Sequence, residues 1–164
     1  MNRTAVSASS LHCKSGSSHR AKMDNHTAEQ RHRNMSAVRS RDTKPELLLR
    51  RKLHGCGYRF RLCGRDLPGK PDIILPKYKS VIFVHGCFWH RHPGCRYAST
   101  PGTNREFWEK KFVENTERDR RQQEILRSMG WNVIVIWTCE IKKLVEDENF
   151  ADRIGLLLSG RGKD

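Results

Sequence analysis

Two apolar, β-branched runs place the strongest limit on how this chain can fold. SVIFVHG covers residues 80–86 and WNVIVIW covers residues 131–137. Continuous runs of this kind are typical of strands that are buried on both faces of a sheet. Between them, residues 105–129 have helical character, and Gly130 is placed to end that helix. The pattern predicts an α/β domain in which the two runs are neighbouring strands.

Shorter segments complete the predicted domain. DTKPELLLRRKLHG at 42–55 predicts a helix with Thr43 as its N-cap. YRFRL at 58–62 alternates like a half-buried strand, and LPGKPDIIL at 67–75 predicts a turn followed by a strand. Residues 147–158 predict a last helix. Together these elements indicate a mixed central sheet flanked by helices.

The first 33 residues differ from the rest in composition. They are rich in Ser, His, Arg and Asn and have little apolar content. Such a segment cannot bury enough apolar surface to fold, so residues 1–33 are predicted to be a disordered basic extension and residues 34–160 the ordered domain. The extension is either an arm that lies on nucleic acid or a segment without a role.

The charge of the chain limits its partners. Lys and Arg total 32 against 18 Asp and Glu, a formal net charge of +14 that is spread along the 164 residues. Nucleic acid fits this excess better than an anionic membrane, because no basic amphipathic helix has a clean apolar face. No apolar run approaches the length of about 18 residues that a membrane span needs. The first residues also lack the apolar stretch of a secretory signal.

The six cysteines point to metal binding rather than to disulfides. A disulfide framework would need an exported chain, so we expect a reduced, cytoplasmic protein and test Cys and His first as metal ligands. Cys13 lies in the predicted extension. Cys56 and Cys63 flank the strand predicted at 58–62 and are interpreted as small apolar residues.

HGCFWHRHPGC at residues 85–95 contains a candidate zinc site. Cys87, His92 and Cys95 follow the spacing C-x4-H-x2-C, and a short loop can supply three of the four tetrahedral ligands of zinc. Cys139 is the candidate fourth ligand, because its run should lie beside the strand that leads to Cys87. Another histidine of the loop could replace His92, and free cysteines are the alternative interpretation.

A candidate catalytic carboxylate precedes this loop. GKPDIIL places Asp72 where a turn enters a strand, and the next apolar strand ends at His85. Nucleases use such an arrangement to hold Mg²⁺, which polarises the phosphate and activates water. The usual acid-x-Lys is missing from the second strand, so a further ligand would have to be a main-chain carbonyl and a histidine would have to act as the base. The alternative is a Pro-Asp pair that only forms a turn.

Further titratable residues could take part in catalysis. His85 and His90 titrate near neutral pH, so either could move a proton, and Asp119 on the long helix could orient one of them. Glu46 also fits a capping box with Thr43 in the segment TKPE.

Aromatic side chains are interleaved with these residues. Phe88 and Trp89 lie in the Cys/His loop, and Trp108 follows in NREFWEKK. Apolar side chains on a basic surface can enter a base stack. The alternative is that they cover the zinc loop and pack into the core.

Five stretches together resemble the very-short-patch (Vsr) mismatch-repair endonuclease family. They follow the family's order across residues 34–140 and are NMSAVRSRDTKPE, LPGKPDIIL, VIFVHGCFWHRHPGC, REFWEKKFVENTERDRR and GWNVIVIWTCE. The resemblance implies a restriction-endonuclease-like fold with a structural Zn²⁺. It also implies Mg²⁺-dependent nicking of one DNA strand, 5′ to the thymine of T:G mismatches that arise when 5-methylcytosine deaminates.

The resemblance also implies roles for individual residues. The catalytic group is Asp72, His85, His90, Glu46 and Asp119. The Mg²⁺ ligands are Asp72 and the Val84 main-chain carbonyl, at a position where the family often has threonine. The zinc ligands are Cys87, His92, Cys95 and Cys139. The residues that meet DNA are Met35, Phe88, Trp89, Trp108, Lys111 and Asn115.

The resulting prediction is a monomeric, cytoplasmic, nucleoid-associated bacterial enzyme that acts on double-stranded DNA with a T:G mismatch. MutL-type mismatch-repair proteins and a repair polymerase are its expected partners. Two alternatives stay open from the sequence: a related restriction-type nuclease, and a zinc-stabilised DNA-binding module without catalysis.

Overall fold

The structure, a computed structural model, describes residues 27–39, 41–62 and 66–160. Its helices and strands, in chain order, are α1 (Ala28–Ser36), α2 (Lys44–Gly55), β1 (Ile73–Leu75), β2 (Ser80–His85), α3 (Arg105–Ser128), β3 (Asn132–Trp137), α4 (Thr138–Glu146) and α5 (Phe150–Leu158). A 3₁₀ turn, Pro76–Tyr78, connects β1 to β2.

The three strands form one mixed sheet in the order β1-β2-β3. β1 is antiparallel to β2. β2 is parallel to β3, from Ser80 opposite Asn132 to His85 opposite Trp137. The two β-branched runs are therefore neighbours, and the prediction of a small α/β domain with a mixed sheet is confirmed. Because β2 and β3 are parallel, the residues that follow both strands meet at one edge of the sheet.

Helices cover both faces of this sheet. Alternate side chains of each strand point to opposite faces, so Ile82 and Ile134 pack with α2, α4 and α5 while Val81 and Val133 pack with Leu126 of α3. The largest fully buried side chains of the first cluster are Phe150, Leu49, Leu53, Ile73, Leu75, Ile82, Ile141 and Ile154. Burial on both faces explains why the two runs are continuously apolar.

A glycine ends the long helix, as the sequence predicts. Gly130 has a φ of 77°, in the left-handed region that favours glycine. The N–H of Trp131 donates to the carbonyl of Leu126 at 3.0 Å, and the N–H of Gly130 donates to that of Arg127 at 2.9 Å. This pattern is a Schellman motif, which turns the chain from α3 into β3.

Three local predictions need correction. The strand predicted at 58–62 is wrong: it makes one isolated bridge, between Arg61 and Ile74, because β1 is only three residues long. The predicted last helix begins at Phe150 rather than at residue 147. The sequence reading also missed α4, which starts at Thr138 directly after β3, with no side-chain cap to mark it.

α1 begins inside the segment that the sequence assigns to the basic extension. Thr27 and Gln30 form a reciprocal capping box at its start, with hydrogen bonds of 3.2 Å and 2.8 Å. The prediction for residues 1–26 lies outside the described residues, as do Cys13 and Cys63. The domain boundary at residue 34 stays a prediction.

None of the helices in the described ranges has both the length and the apolar character that a membrane crossing requires.

Candidate active site and metal centre

A cleft of about 1140 Å³ opens at the edge of the sheet where β2 ends. Five residues predicted to serve catalysis or Mg²⁺ binding line it: Glu46, Asp72, Val84, His85 and His90. Two residues predicted to meet DNA also line it, Trp89 and Asn115. Its basic lining residues are Arg39, Arg41, Lys70 and Arg118. The sheet edge therefore brings together residues that are far apart in the sequence.

Asp72 is fixed to β2 by two hydrogen bonds. Its main-chain N–H donates to the carbonyl of Ile82 at 3.1 Å, and its carboxylate Oδ2 accepts from the N–H of Val84 at 2.7 Å. Burial, with a smaller contribution from the Glu46 carboxylate, raises the pKa of Asp72 to about 6, although the Val84 N–H and the Arg50 charge oppose the rise. A carboxylate whose charged form is disfavoured in this way would be stabilised by a cation.

Glu46 is buried, with 5% of its surface exposed, and both of its carboxylate oxygens have partners. Oε1 accepts from the hydroxyl of Thr43 at 2.7 Å, and Oε2 accepts from the N–H of Asp42 at 3.0 Å. Nη2 of Arg50 donates to the same Oε2 at 3.0 Å. The predicted capping box is corrected here: the Thr43 hydroxyl contacts the Glu46 carboxylate instead of a main-chain N–H, so the two residues do not cap the helix reciprocally.

His85 and His90 lie face to face beside Asp72. Their ring centroids are 4.0 Å apart and the planes are inclined by 15°. Burial and the charge of His90 together lower the pKa of His85 to about 4, although the charge of Asp119 opposes the shift. His85 is therefore neutral near pH 7, which is the form that can accept a proton.

Asp119 holds His90 from the side of α3. Its Oδ2 is hydrogen-bonded to Nδ1 of His90, and its Oδ1 lies 3.5 Å from Nη2 of Arg118. Burial alone would raise the pKa of Asp119. The hydrogen bond and the charge of His90 lower it, and so do the charges of His85 and Arg118. A charged carboxylate on Nδ1 fixes the tautomer and orientation of the imidazole and leaves Nε2 for other contacts.

The four predicted zinc ligands converge beside this cleft. Their donor atoms all lie within 4.8 Å of one another. The Cys95 and Cys139 sulfurs are 3.9 Å apart, and Nδ1 of His92 lies 3.7 Å from the sulfur of Cys87 and 3.3 Å from that of Cys139. A tetrahedral zinc with ordinary bond lengths separates its ligand atoms by about 3.6–3.8 Å. The donor set and its spacing therefore fit a metal ion of this kind.

Neighbouring groups favour the thiolate of Cys87. Burial raises its pKa, but hydrogen bonds with Thr138 and Cys139 lower it to about 7. Burial and the neighbouring sulfurs raise the pKa of Cys139 to about 12. The thiolate is the form of cysteine that binds a metal ion. His92, rather than His85 or His90, is the histidine that lies with the cysteines.

The aromatic residues form a cluster between the Cys/His loop and α3. Phe88 contacts Trp89, Trp108 and Phe112 edge to face, with centroid distances of 5.1, 5.4 and 5.2 Å. Phe112 is buried, whereas the other three are only partly covered. Arg91 stacks over Phe112 at 4.4 Å. The cluster is thus a half-exposed surface with one buried anchor, rather than part of the main core.

The other predicted DNA-contacting residues lie in three different environments. Nδ2 of Asn115 donates to the Trp89 carbonyl at 3.3 Å, so this buried side chain supports the loop. Lys111 is exposed on α3 and lies 3.7 Å from Glu114. Met35 is 43% exposed on α1. The structure thus joins Asn115 to the aromatic cluster and shows Met35 on a separate helix.

Arg50 and Arg118 belong to the site and were missed by sequence reasoning. Arg50 follows Glu46 by four residues on one helix, a spacing that predicts an ion pair. Arg118 is adjacent to Asp119, which was already a candidate. Both signals are common on exposed helices, so only the tertiary structure distinguishes these two arginines from the many others in the chain.

Comparison with known proteins identifies the class of this one. Residues 23–96 match the family model described as DNA mismatch endonuclease Vsr. The chain is 40% identical to the DNA mismatch endonuclease Vsr of Escherichia coli over 141 residues, which are 85% of this chain and 90% of the relative. It is 46% identical over 121 residues to the Type II nicking enzyme V.XorIIP of Xanthomonas oryzae, covering 74% of this chain and 88% of the relative.

A third relative agrees with these two. The Type II nicking enzyme V.NmeAIP of Neisseria meningitidis is 44% identical over 108 residues, which are 66% of this chain and 76% of the relative. The protein is therefore a DNA endonuclease, of a kind that nicks its substrate. The chain belongs to the Vsr family of DNA mismatch endonucleases.

Proposed function

We propose that this endonuclease nicks one DNA strand 5′ to the thymine of a T:G mismatch produced by deamination of 5-methylcytosine, in a reaction that depends on Mg²⁺. The observation that carries the proposal is the convergence of Asp72, His85 and His90 in one cleft, bordered by a half-exposed aromatic cluster. A hydrolytic group beside residues able to enter a base stack suits an enzyme that cuts next to a distorted pair. In this proposal the fold is restriction-endonuclease-like.

Asp72 and the main-chain carbonyl of Val84 would hold Mg²⁺, since oxygen donors suit this hard cation. Bound there, Mg²⁺ would polarise the scissile phosphate and activate a water. His85, neutral near pH 7, accepts the proton of the attacking water. His90, oriented by Asp119, donates a proton to the leaving oxygen. Glu46, whose carboxylate is held in place by three hydrogen bonds, would orient water beside the metal ion.

Zn²⁺ would have a structural role in this enzyme. Cys87, His92 and Cys95 are in one loop and Cys139 is in α4, so an ion among them would fasten that loop to the helix. The same loop carries His90 and Trp89. Its attachment would therefore keep the catalytic histidine and the aromatic cluster in a constant relative position.

DNA binding would use the aromatic cluster and the basic cleft together. Phe88, Trp89 and Trp108 would enter the stack beside the mismatch, and Met35 would wedge from the other groove. Lys111 and Asn115 would contact the mismatched pair. The proposal also includes MutL-type repair proteins and a repair polymerase as partners. It further includes a monomeric state and a cytoplasmic, nucleoid-associated location.

Nicking of labelled duplexes tests this function directly. Duplexes with T:G, another mismatch or only matched pairs are incubated with the protein in Mg²⁺ or in EDTA. We expect one nick, 5′ to the mismatched thymine, only with Mg²⁺, and a rate at least about 10³-fold lower for Asp72→Asn. Cutting of both strands of matched DNA would instead indicate a restriction-type nuclease. Equal cutting in EDTA would contradict the role of the metal.

A further inference from the structure

We propose that Arg50 balances the charge of Glu46 in the cleft that contains Asp72 and thereby sets how strongly the cleft binds a divalent cation. The inference rests on the proposed function, because it takes the surroundings of Asp72 to be the Mg²⁺ site. Arg50 is a positioning residue in this account: it acts through Glu46 and through charge, and it does not touch the substrate.

The ion pair between Arg50 and Glu46 is shielded from water. The two side chains are 8% and 6% exposed, and Nη2 of Arg50 lies 3.0 Å from Oε2 of Glu46. Salt and solvent screen such a pair much less than a surface pair. The charges of this pair are therefore screened less, at an ion bound in the cleft, than those of a surface pair would be.

Stability alone explains this arginine poorly. Arg50 also pairs with Asp42, but the side chain of Asp42 is 59% exposed, so water screens its charge. Nε of Arg50 is buried and has no hydrogen-bond partner among the described residues. An unpaired buried donor lowers the stability of the folded protein. Replacing a buried ion pair with apolar side chains is often neutral or stabilising, which favours a role for the charge itself.

Glu46 and Asp72, two carboxylates that line the cleft, have different hydrogen-bond and charge partners. Glu46 accepts hydrogen bonds on both oxygens and is neutralised by Arg50. Asp72 accepts a hydrogen bond from a main-chain N–H. The negative charge of Glu46 raises its pKa, and the positive charge of Arg50 lowers it. One carboxylate is therefore left to attract a cation, while the other is held in place with its charge cancelled.

If Arg50 balances the charge of Glu46, removal of each charge should shift the cation affinity in opposite directions. A purely structural role of Arg50 would not produce this result. Arg50→Met should make cation binding about tenfold tighter, because it uncovers the Glu46 charge. Glu46→Gln should weaken binding about tenfold, because it leaves the Arg50 charge unopposed. The double variant Glu46→Gln/Arg50→Met should return to within about twofold of the unmodified protein. If Arg50 only supported the fold, neither opposite shifts nor restoration would follow.

The test is a titration of the full chain with Mn²⁺, a stand-in for Mg²⁺ whose free fraction is measured by electron paramagnetic resonance. Arg153→Met is the matched control, since Arg153 pairs with Asp147 at 2.7 Å, outside the residues that line the cleft. It should leave the affinity unchanged. Asp72→Asn identifies the relevant site, because Mn²⁺ bound in the cleft should be lost in that variant.

The outcomes are distinguishable. If Arg50→Met does not fold, the comparison between Glu46→Gln and the double variant remains, and restoration of affinity supports the proposal. Equal affinity in those two variants overturns it. If instead the unmodified protein and Asp72→Asn bind Mn²⁺ alike, the metal site of the proposed function is wrong, and the inference falls with it.

Discussion

At the scale of the residue, neighbours decide what each titratable side chain can do. His85 and His90 are chemically identical, yet burial makes one neutral near pH 7 while a carboxylate on α3 orients the other. The Asp72 carboxylate shares their cleft and has a raised pKa. The proposed roles of base, orienting carboxylate and metal ligand therefore rest on the environment of each group as well as on its residue type.

Asp119→Asn tests the orienting role. The amide keeps the shape of the side chain but loses the charge that fixes the tautomer of His90, so we expect the single-turnover nicking rate to fall about 10²-fold with DNA affinity unchanged. Nicking at saturating protein, with binding measured by fluorescence anisotropy, separates the two quantities.

Asp152→Asn is the matched control for this variant. Asp152 is an exposed aspartate on α5, so its amide should nick at the unmodified rate. A nicking rate for Asp119→Asn that equals that of the control would exclude the orienting role.

At the scale of the element, the Cys/His cluster connects the loop after β2 to the start of α4. The loop after β2 contains turns but no helix or strand until α3 begins at Arg105. Cys139 lies in the first turn of α4, directly after β3. Since β2 and β3 are parallel neighbours, the sheet itself brings the loop and α4 together.

Removal of one ligand tests the zinc assignment. Cys139→Ser should lose bound zinc and lower the free energy of unfolding by roughly 3–5 kcal/mol, as expected when a structural metal is lost. Cys56→Ser, at the exposed cysteine that ends α2, should keep its zinc and change stability by less than about 0.5 kcal/mol. Zinc released to a chromogenic chelator and urea unfolding measure both effects. Unchanged zinc content in Cys139→Ser would contradict the assignment.

At the scale of the whole molecule, the net positive charge and the basic lining of the cleft should both contribute to DNA binding. The net charge of +14 attracts DNA from any direction. The cleft adds direction, because its lining includes basic residues from several segments around the candidate metal site. We therefore expect binding to be strongly salt-dependent, with the cleft contributing a definite part of that dependence.

Two double variants, one in the cleft and one outside it, measure how much the cleft contributes to the salt dependence of DNA binding. The double variant Arg39→Gln/Lys70→Gln removes two charges of the cleft and should make the slope of log affinity against log salt shallower by about 2. Lys142→Gln/Lys143→Gln removes two exposed charges of α4 and should change the slope by less than about 0.5. Equal slopes in the two double variants would show that DNA does not lie along the cleft.

Much of this protein can be predicted from local sequence alone. The β-branched runs specify β2 and β3, because short, continuous runs of β-branched residues are typical of a strand buried on both faces. Gly130 specifies the end of α3, because a left-handed residue is needed there. Cys87, His92 and Cys95 could be recognised as candidate metal ligands from donor type and spacing. Each of these signals is contained within a few residues.

Tertiary structure decided the rest, because contacts between distant segments do not show in local patterns. Residues 58–62 alternate like a strand but find too short a partner in β1. α4 starts without a cap, since the end of β3 leads straight into it. The contact of Asp119 with His90 and the burial of the ion pair between Arg50 and Glu46 arise only when helices pack on the sheet. The sequence determined which groups were present, and the packing determined which of them act on one another.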